Sequence, residues 1–468
     1  MGVYTRFCSG VLFPLHERLK HHDSVALRRR LETSQWWPPE QVAADQAGRL
    51  RAFLVEIGQR VPYYRELFRR HGFDPAGVRG PADLQRLPLM GKPEIRAHLD
   101  ALKADGHGPL TRYNTGGSSG EPLIFYIGKG RKSHDVAAKW RATRWWGVDI
   151  GDREMVVWGS PVELGAQDRL RQWRDRLMRS ELLPAFEMSA ANLDRYVARI
   201  REARPAMVFG YPSSLSMIAG HAQARGLRLD DLGIKVVFVT SERLYDEQRE
   251  RISAGFGCPV ANGYGARDAG FIAHECPEGR LHLSAEDIVV ETVRPDGSEA
   301  GVGEAGEIVV THLATADFPL VRYRTGDVGV LSGERCPCGR GLPVLAEVQG
   351  RSTDFIVARD GTVMHGLALI YTVRDLPGVR RFRIEQLSLE HTQVTVEASE
   401  AFGDSDVRRI VDDFRNRLGA GVRVDVNVVD EIAPEKSGKF RYVVSRVLPG
   451  SAAGTAGTAG TAQEASHA

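Results

Sequence analysis

The segment Asn114-Thr115-Gly116-Gly117-Ser118-Ser119-Gly120-Glu121-Pro122 combines three glycines with three hydroxyl side chains. Glycine lacks a Cβ and tolerates positive φ, so the backbone can approach an anion closely. Successive N–H groups in such a turn form an anion-binding nest, and Thr115, Ser118 and Ser119 add hydroxyl donors. The natural guest is the triphosphate of a nucleotide. The loop is not a Walker A motif, because Glu121-Pro122 stand where Gly-Lys-Ser/Thr would be. Alone, a Gly/Ser cluster also reads as a plain flexible turn. Its weight comes from the order of the clusters downstream of it.

Val239-Thr240-Ser241-Glu242 ends an apolar run. Asn262-Gly263-Tyr264-Gly265-Ala266-Arg267-Asp268 comes next, then Tyr323-Arg324-Thr325-Gly326-Asp327 and Gly350-Arg351-Ser352-Thr353-Asp354. Ser437-Gly438-Lys439-Phe440-Arg441 closes the series. Singly, each has a plain reading: Asp327 can cap a turn, Lys439 can be a solvated surface lysine, and Thr240, Ser241 and Glu242 can simply end a strand.

In this order the clusters resemble the adenylate-forming superfamily of acyl-CoA ligases, luciferase and adenylation domains. The likeness is to its phenylacetate–CoA ligase group and, within that, the capsule-biosynthesis-like branch. Ser34-Gln35-Trp36, Val61-Pro62-Tyr63-Tyr64, Gly210-Tyr211-Pro212-Ser213-Ser214-Leu215 and the Ser437–Arg441 motif carry the branch likeness, which spans about residues 8 to 449. The resemblance implies ATP-dependent activation of a small carboxylic acid, an aromatic one first, as an acyl-adenylate with release of pyrophosphate. Transfer to a thiol ensues, coenzyme A before others. An amine (amide synthesis), a carrier-protein thiol or another nucleophile is the alternative acceptor.

The resemblance also implies roles. Thr115, Gly116, Gly117, Ser118, Ser119 and Gly120 would hold the β- and γ-phosphates. Ser241, Glu242, Asn262, Gly263 and Gly265 would line the ATP site, and Tyr264 would stack near the adenine. Asp327 would take both ribose hydroxyls, with Arg351 assisting. Asp268 stands where the family has a Glu that ligates Mg²⁺; Asp keeps the hard oxygen ligand with a shorter reach. Arg267 replaces the usual Thr at the α-phosphate, where a guanidinium can meet phosphate oxygens bidentately. Lys439 would bridge the substrate carboxylate and the α-phosphate, swinging in on a small mobile domain. The family's hinge position falls on Thr353, with the carboxylate at Asp354, and a hinge need only absorb a φ/ψ change.

A separate set, Cys276, His282, Cys336 and Cys338, has the composition of a closed tetrahedral Zn²⁺ site. The spacing is not that of a standard finger, and buried free thiols beside a surface histidine are the alternative. His274 can stand in for His282. With four protein ligands the metal would be structural.

The elements that must position these groups are legible from periodicity. Leu50, Leu54, Ile57 and Val61 share one helical face. Met155–Trp158, Met207–Phe209 and Val236–Val239 read as buried strands of an α/β sheet, and Asp287 to Val310 as strand–turn–strand. Two strands within Phe382–Val396, a helical stripe Val407–Leu418 and an alternating strand Val422–Val428 come after them. The expected fold is α/β: a large N-terminal domain (1–350) with helix-flanked sheets and a β-region, a small mobile α+β domain (351–449), and a disordered tail (450–468). Trp145, Trp146, Trp158 and Tyr211 can line an apolar pocket or fill the core.

The 62 basic and 60 acidic residues leave a net charge of +2, so no global field favours nucleic acid or a membrane. No apolar run approaches the roughly 18 residues that span a bilayer. Cys8 to Leu15 is interrupted by Ser9 and Pro14, which argues against a signal peptide. Five cysteines in 468 residues make no disulfide framework and suit a cytoplasmic protein. The expected partners are a carboxylic acid and an acceptor, with a homodimer kept open.

Overall fold

The computed structural model describes residues 2–114, 123–159, 169–185, 187–294, 296–348, 355–432 and 443–447. They form two compact units. One runs through residue 185 and from Leu193 to 348; the other takes in residues 187–192 and everything from Phe355.

The first unit is organised by one sheet of eleven strands. After a series of helices, its first strands form a two-stranded ribbon, β1 (Thr111–Asn114) and β2 (Ile124–Ile127), outside that sheet. Next come β3 (Glu154–Trp158) and β4 (Ser180–Pro184). After β5 (Glu187–Met188) of the other unit come β6 (Met207–Gly210), β7 (Val236–Thr240), β8 (Val260–Ala266), β9 (Gly270–Glu275), β10 (Leu281–Leu283), β11 (Ile288–Val293), β12 (Ala305–His312), β13 (Tyr323–Ser332) and β14 (Val344–Val348). The spatial order is β11-β12-β13-β14-β10-β9-β8-β7-β6-β3-β4. From β4 to β8 all pairings are parallel; from β8 onward all are antiparallel.

The parallel half is what its sequence dictates. Val236–Thr240 is buried at every position, as a strand covered on both faces must be. Helices Pro212–Ala224 and Asp246–Phe256 lie after β6 and β7 as crossovers. The antiparallel half carries the Asp287–Val310 hairpin as β11 and β12, in register from Ile288↔His312 to Val293↔Glu307. The helix Pro39–Arg60 turns Leu50, Phe53, Leu54 and Ile57 inward, into a core shared with Leu283, Ile288, Ile308 and Tyr323.

The second unit has β15 (Phe355–Val357), β16 (Val363–His365), β17 (Val379–Ser388), β18 (His391–Ala398), β19 (Arg423–Val429) and β20 (Val443–Ser445). A four-stranded sheet in the order β19-β18-β17-β20 packs against the helix Asp404–Leu418. That helix buries Ile410, Phe414 and Leu418, the expected stripe, against Phe382, Ile384, Val394 and Val396. A three-stranded sheet joins β15 and β16 to β5. Nothing in the period of Glu187–Met188 announces that pairing, because two residues are too few to carry one.

Candidate active site

The site is built where the sheet changes character. Ligands of α/β sheets gather beyond the carboxyl ends of parallel strands, and here β8 pairs parallel with β7 on one side and antiparallel with β9 on the other. Thr240 ends β7, and the next residue, Ser241, has φ +73°. A non-glycine residue in the left-handed region is uncommon and costs conformational energy. The carboxylate of Glu242, the residue after it, accepts from the backbone N–H of Ser213 at 3.4 Å, at the start of the Pro212–Ala224 helix.

Asn262 to Ala266 lie on β8, and Arg267-Asp268 form the turn into β9. The turn is tight. A Cβ on Gly265 would stand 2.4 Å from the carbonyl oxygen of Gly270, and Gly270 itself has φ +97°. Asn262 donates its backbone N–H to Glu275 at 2.7 Å, and Glu275 is paired with Arg249 at 2.9 Å.

Two tyrosine–aspartate bonds tie this turn to β13. Tyr264 Oη donates to Asp327 Oδ2 at 3.0 Å. In return, Tyr323 Oη donates to Asp268 Oδ2 at 2.5 Å. Burial first, and then the Asp327 charge, push the Tyr264 hydroxyl well above the usual phenol range, so it stays a donor. The Thr325 hydroxyl accepts from the Asp327 N–H at 3.1 Å while donating to the Ile308 carbonyl at 2.8 Å. The Thr325 side chain therefore caps the turn, and Asp327 presents its carboxylate to Tyr264.

Arg267 is exposed, and its Nη1 donates to the Asn114 carbonyl at 3.4 Å. Asn114 ends β1, where the chain enters the glycine-rich loop. Thr115, Gly116, Gly117, Ser118, Ser119 and Gly120 lie outside the described residues, as do Arg351, Thr353, Asp354 and Lys439.

Arg131 is the residue that sequence reasoning missed. It is buried in the helix Lys129–Trp145, paired with Asp135 at 2.8 Å. Its guanidinium donates to the backbone carbonyls of Asp268 at 3.3 Å and Arg267 at 3.2 Å. A buried cation thus holds the backbone of the turn that carries two of the candidate catalytic groups, Arg267 and Asp268. A narrow cleft lined by Phe125, Tyr126, Arg131, Asp268, His312 and Tyr323 opens beside it. Only a signal for buried arginine would have found it, and periodicity carries none.

Of the four aromatic residues, two stand at the ends of parallel strands. Trp158 ends β3 and Tyr211 comes directly after β6, and their rings stack with centroids 4.4 Å apart. Trp145 instead donates its indole N–H to Gln35, and Trp146 to the Glu275 carbonyl.

The ligand atoms of Cys276, His282, Cys336 and Cys338 all lie within 4.8 Å of one another. Cys276 Sγ and Cys336 Sγ are 3.6 Å apart; His282 Nε2 and Cys338 Sγ are 3.2 Å apart. A Zn–S bond of about 2.3 Å implies tetrahedral S···S edges of about 3.8 Å, so the donors are spaced for a metal. His282 Nδ1 lies 3.1 Å from the Leu342 carbonyl; donating there leaves Nε2 as the open lone pair, the usual arrangement behind a metal-bound imidazole. Burial holds His282 down to about 4, in the neutral form a ligand needs. His274 sits opposite His282 in register, but its ring stacks on Phe271, so His282 is the member of the cluster.

His134, Asp135 and His312 form a second group within 4.8 Å. His312 Nδ1 accepts from the Ala314 N–H at 3.2 Å, which puts the proton on Nε2 and removes it as a ligand. That group is a buried polar cluster behind Arg131.

Among the described residues, no helix is long and apolar enough to cross a membrane.

Residues 356–446 match the family described as the CapK C-terminal domain. The chain is 27% identical over 378 residues to a phenylacetate–coenzyme A ligase of Thermus thermophilus, covering 78% of this chain and 83% of the relative. It is 23% identical over 410 residues to protein CapK of Staphylococcus aureus, with coverages of 85% and 88%. A solved structure of 2-hydroxyisobutyryl-CoA ligase, in its thioesterification state, superposes with a TM-score of 0.62 at 21% identity, covering 88% of this chain and 91% of that one. That likeness is one of fold.

Proposed function

We propose, for a chain that is adenylate-forming and phenylacetate–CoA ligase-like with a CapK-like C-terminal domain, that it activates a small carboxylic acid with ATP and passes the acyl group to a thiol. A carboxylate oxygen attacks the α-phosphorus, the bond to the β-phosphate breaks, and pyrophosphate leaves. The thiol sulfur then attacks the acyl carbon and AMP departs. Negative charge grows at phosphorus in the first step, so catalysis there is positioning and electrostatic stabilisation.

In this reading Arg267 meets the α-phosphate and the glycine-rich loop receives the β- and γ-phosphates. Asp327 takes the ribose hydroxyls with Arg351 beside it, and Tyr264 lies by the adenine. Lys439 bridges the two reacting partners, carried on the second unit past Thr353 and Asp354. Asp268 offers a hard carboxylate ligand, and Mg²⁺ bound there would neutralise phosphate charge. The Cys276–His282–Cys336–Cys338 set would hold a structural zinc. The stacked pair Trp158–Tyr211 would face the acid, which favours an aromatic one.

The observation that carries the reading is the crossed pair of tyrosine–aspartate bonds, which fixes two candidate nucleotide carboxylates on one rigid frame. Coenzyme A is the proposed thiol, as in the name of the Thermus thermophilus relative. An amine or a carrier protein is the second acceptor this reading keeps. Pyrophosphate exchange across a panel of acids tests the first half-reaction. Product analysis with coenzyme A or amines separates the acceptors.

A further inference from the structure

The first helical segment wears its apolar side outward. Val3–Phe7, the π-turn Cys8–Leu12 and Phe13–Leu19 run without a break. Thr5, Cys8 and Glu17 face inward, while Val3, Phe7, Val11, Leu15 and Leu19 are exposed. Val3 is 87% exposed and Leu19 73%. Spaced four apart, these five share one face of a rod of roughly 25 Å. The helix Arg169–Met178 lies against the same segment: Tyr4 Oη donates to the Leu177 carbonyl at 2.8 Å, and Cys8 Sγ touches Met178 Sδ at 3.3 Å. It adds Trp173, 64% exposed, and Leu177. Seven of the twelve exposed large apolar side chains among the described residues fall on these two helices. Scattered exposed apolar residues need no explanation, but a concentration of this kind marks an interaction surface.

On the two helices themselves the exposed charge is one-sided, although Asp152 accepts from Thr5 behind the segment and Asp23 stands beyond its end, paired with Lys129. Arg6, Arg18 and Lys20 are exposed on the first segment, Arg176 and Arg179 on or just after the second helix. The sole acid among residues 2–20, Glu17, is turned inward to His16, His22 and Ser24. On the second helix the sole acid, Asp175, is paired with Arg174 at 2.6 Å. The whole-chain balance of +2, which by itself points to no membrane partner, averages this concentration away.

We infer that this patch lays the protein on an anionic lipid surface. A convex apolar ridge rimmed by cations, with an exposed Trp beside it, has the composition of an in-plane interfacial helix, and basic residues beside an apolar face gain from negative headgroups. A second copy of the chain is the poorer occupant, because a two-fold contact through this patch would set like charges face to face. An acidic protein would match the charge, but a ridge offers it no groove to enter.

The experiment is flotation of the full-length protein with phosphatidylcholine vesicles, with and without about one third phosphatidylglycerol, beside a triple variant Phe7→Glu, Val11→Glu, Leu15→Glu. These side chains point to solvent, so the variant keeps its thermal midpoint within a few degrees, about the scale of neutral surface changes. Binding to the phosphatidylglycerol vesicles that falls at least about tenfold in the triple variant, and also in Arg18→Glu, Lys20→Glu, and that weakens with salt, bears the inference out. Absence of wild-type binding to those vesicles overturns it. So does binding that the triple variant retains. A wild-type dimer that the triple variant dissolves, without vesicle binding, assigns the patch to a second copy and overturns it too.

Discussion

The hydroxyl of Tyr264 donates to the carboxylate of Asp327 at 3.0 Å, between two motifs, the bonded residues being 63 apart in the chain. Each motif has a Tyr with an Asp four residues later, Tyr264 to Asp268 and Tyr323 to Asp327. The bonds cross: the tyrosine of each motif serves the aspartate of the other. Neither carboxylate can turn without breaking a bond that also locates its counterpart.

Tyr264→Phe removes the donor and leaves the ring. If Asp327 holds the ribose, KM for ATP rises about tenfold while kcat changes less, since a hydrogen bond to a charged group is worth about 1.5–3 kcal/mol. Steady-state kinetics at saturating acid check the split. An unchanged KM would detach Asp327 from nucleotide binding.

Asp268→Asn keeps the shape and the bond from Tyr323 while removing the charge. Pyrophosphate exchange falls by about 10² or more, and the Mg²⁺ concentration for half-activity rises. Tyr323→Phe shows a smaller loss in the same direction. A variant with ordinary Mg²⁺ dependence would take Asp268 out of metal binding.

How much of this is legible in the sequence differs from residue to residue. Val236–Val239 and the Val407–Leu418 stripe declare their elements, because burial on both faces or on one face leaves a period in the sequence. The second Tyr–Asp bond does not: Tyr323 reads only as the first residue of a motif, and pairing across 55 residues leaves no local trace. Arg131 is invisible for the same reason. Its helix, Lys129–Trp145, buries Arg131, His134 and Arg141 alongside alanines and Trp140, so polar residues occupy the face that periodicity assigns to the core. The Cys276–His282–Cys336–Cys338 cluster is legible because cysteine is scarce, whereas the choice of His282 over His274 depends on which ring turns toward the thiols. Of the outward-facing apolar stripe from Val3 to Leu19, the sequence shows only the interrupted run Cys8 to Leu15, since sequence alone does not say which side of a helix meets solvent.

Metal content gives a third test. Purified protein is expected to carry close to one zinc per chain by elemental analysis. Cys276→Ser loses it and lowers the thermal midpoint by several degrees, because a closed site contributes directly to folding. Zinc-free protein with an unchanged midpoint would make the four residues an ordinary buried cluster.

Acid should weaken the first unit through His312. Burial first, with Arg131 and His134 adding to it, holds this imidazole well below its ordinary 6.5; Asp135 is the acid beside them. The unfolded chain then binds the extra proton, so the stabilisation is complete above about pH 6.5 and is lost as pH falls below it. The expected slope is on the order of 1 kcal/mol per pH unit for this group. Denaturant midpoints at pH 7.5 and 5.5 measure it, and His312→Gln should show a smaller drop than the wild type.

The central claim is that an acid is joined to AMP under the charge of Lys439. Mass spectrometry of reactions with ATP, Mg²⁺ and a panel of arylacetic, benzoic and short aliphatic acids reads it directly. The wild type should give an acyl-AMP mass with at least one acid together with pyrophosphate, and Lys439→Ala should bind ATP yet form none. ADP and orthophosphate as the products, or an acyl-adenylate formed undiminished by Lys439→Ala, would contradict the account.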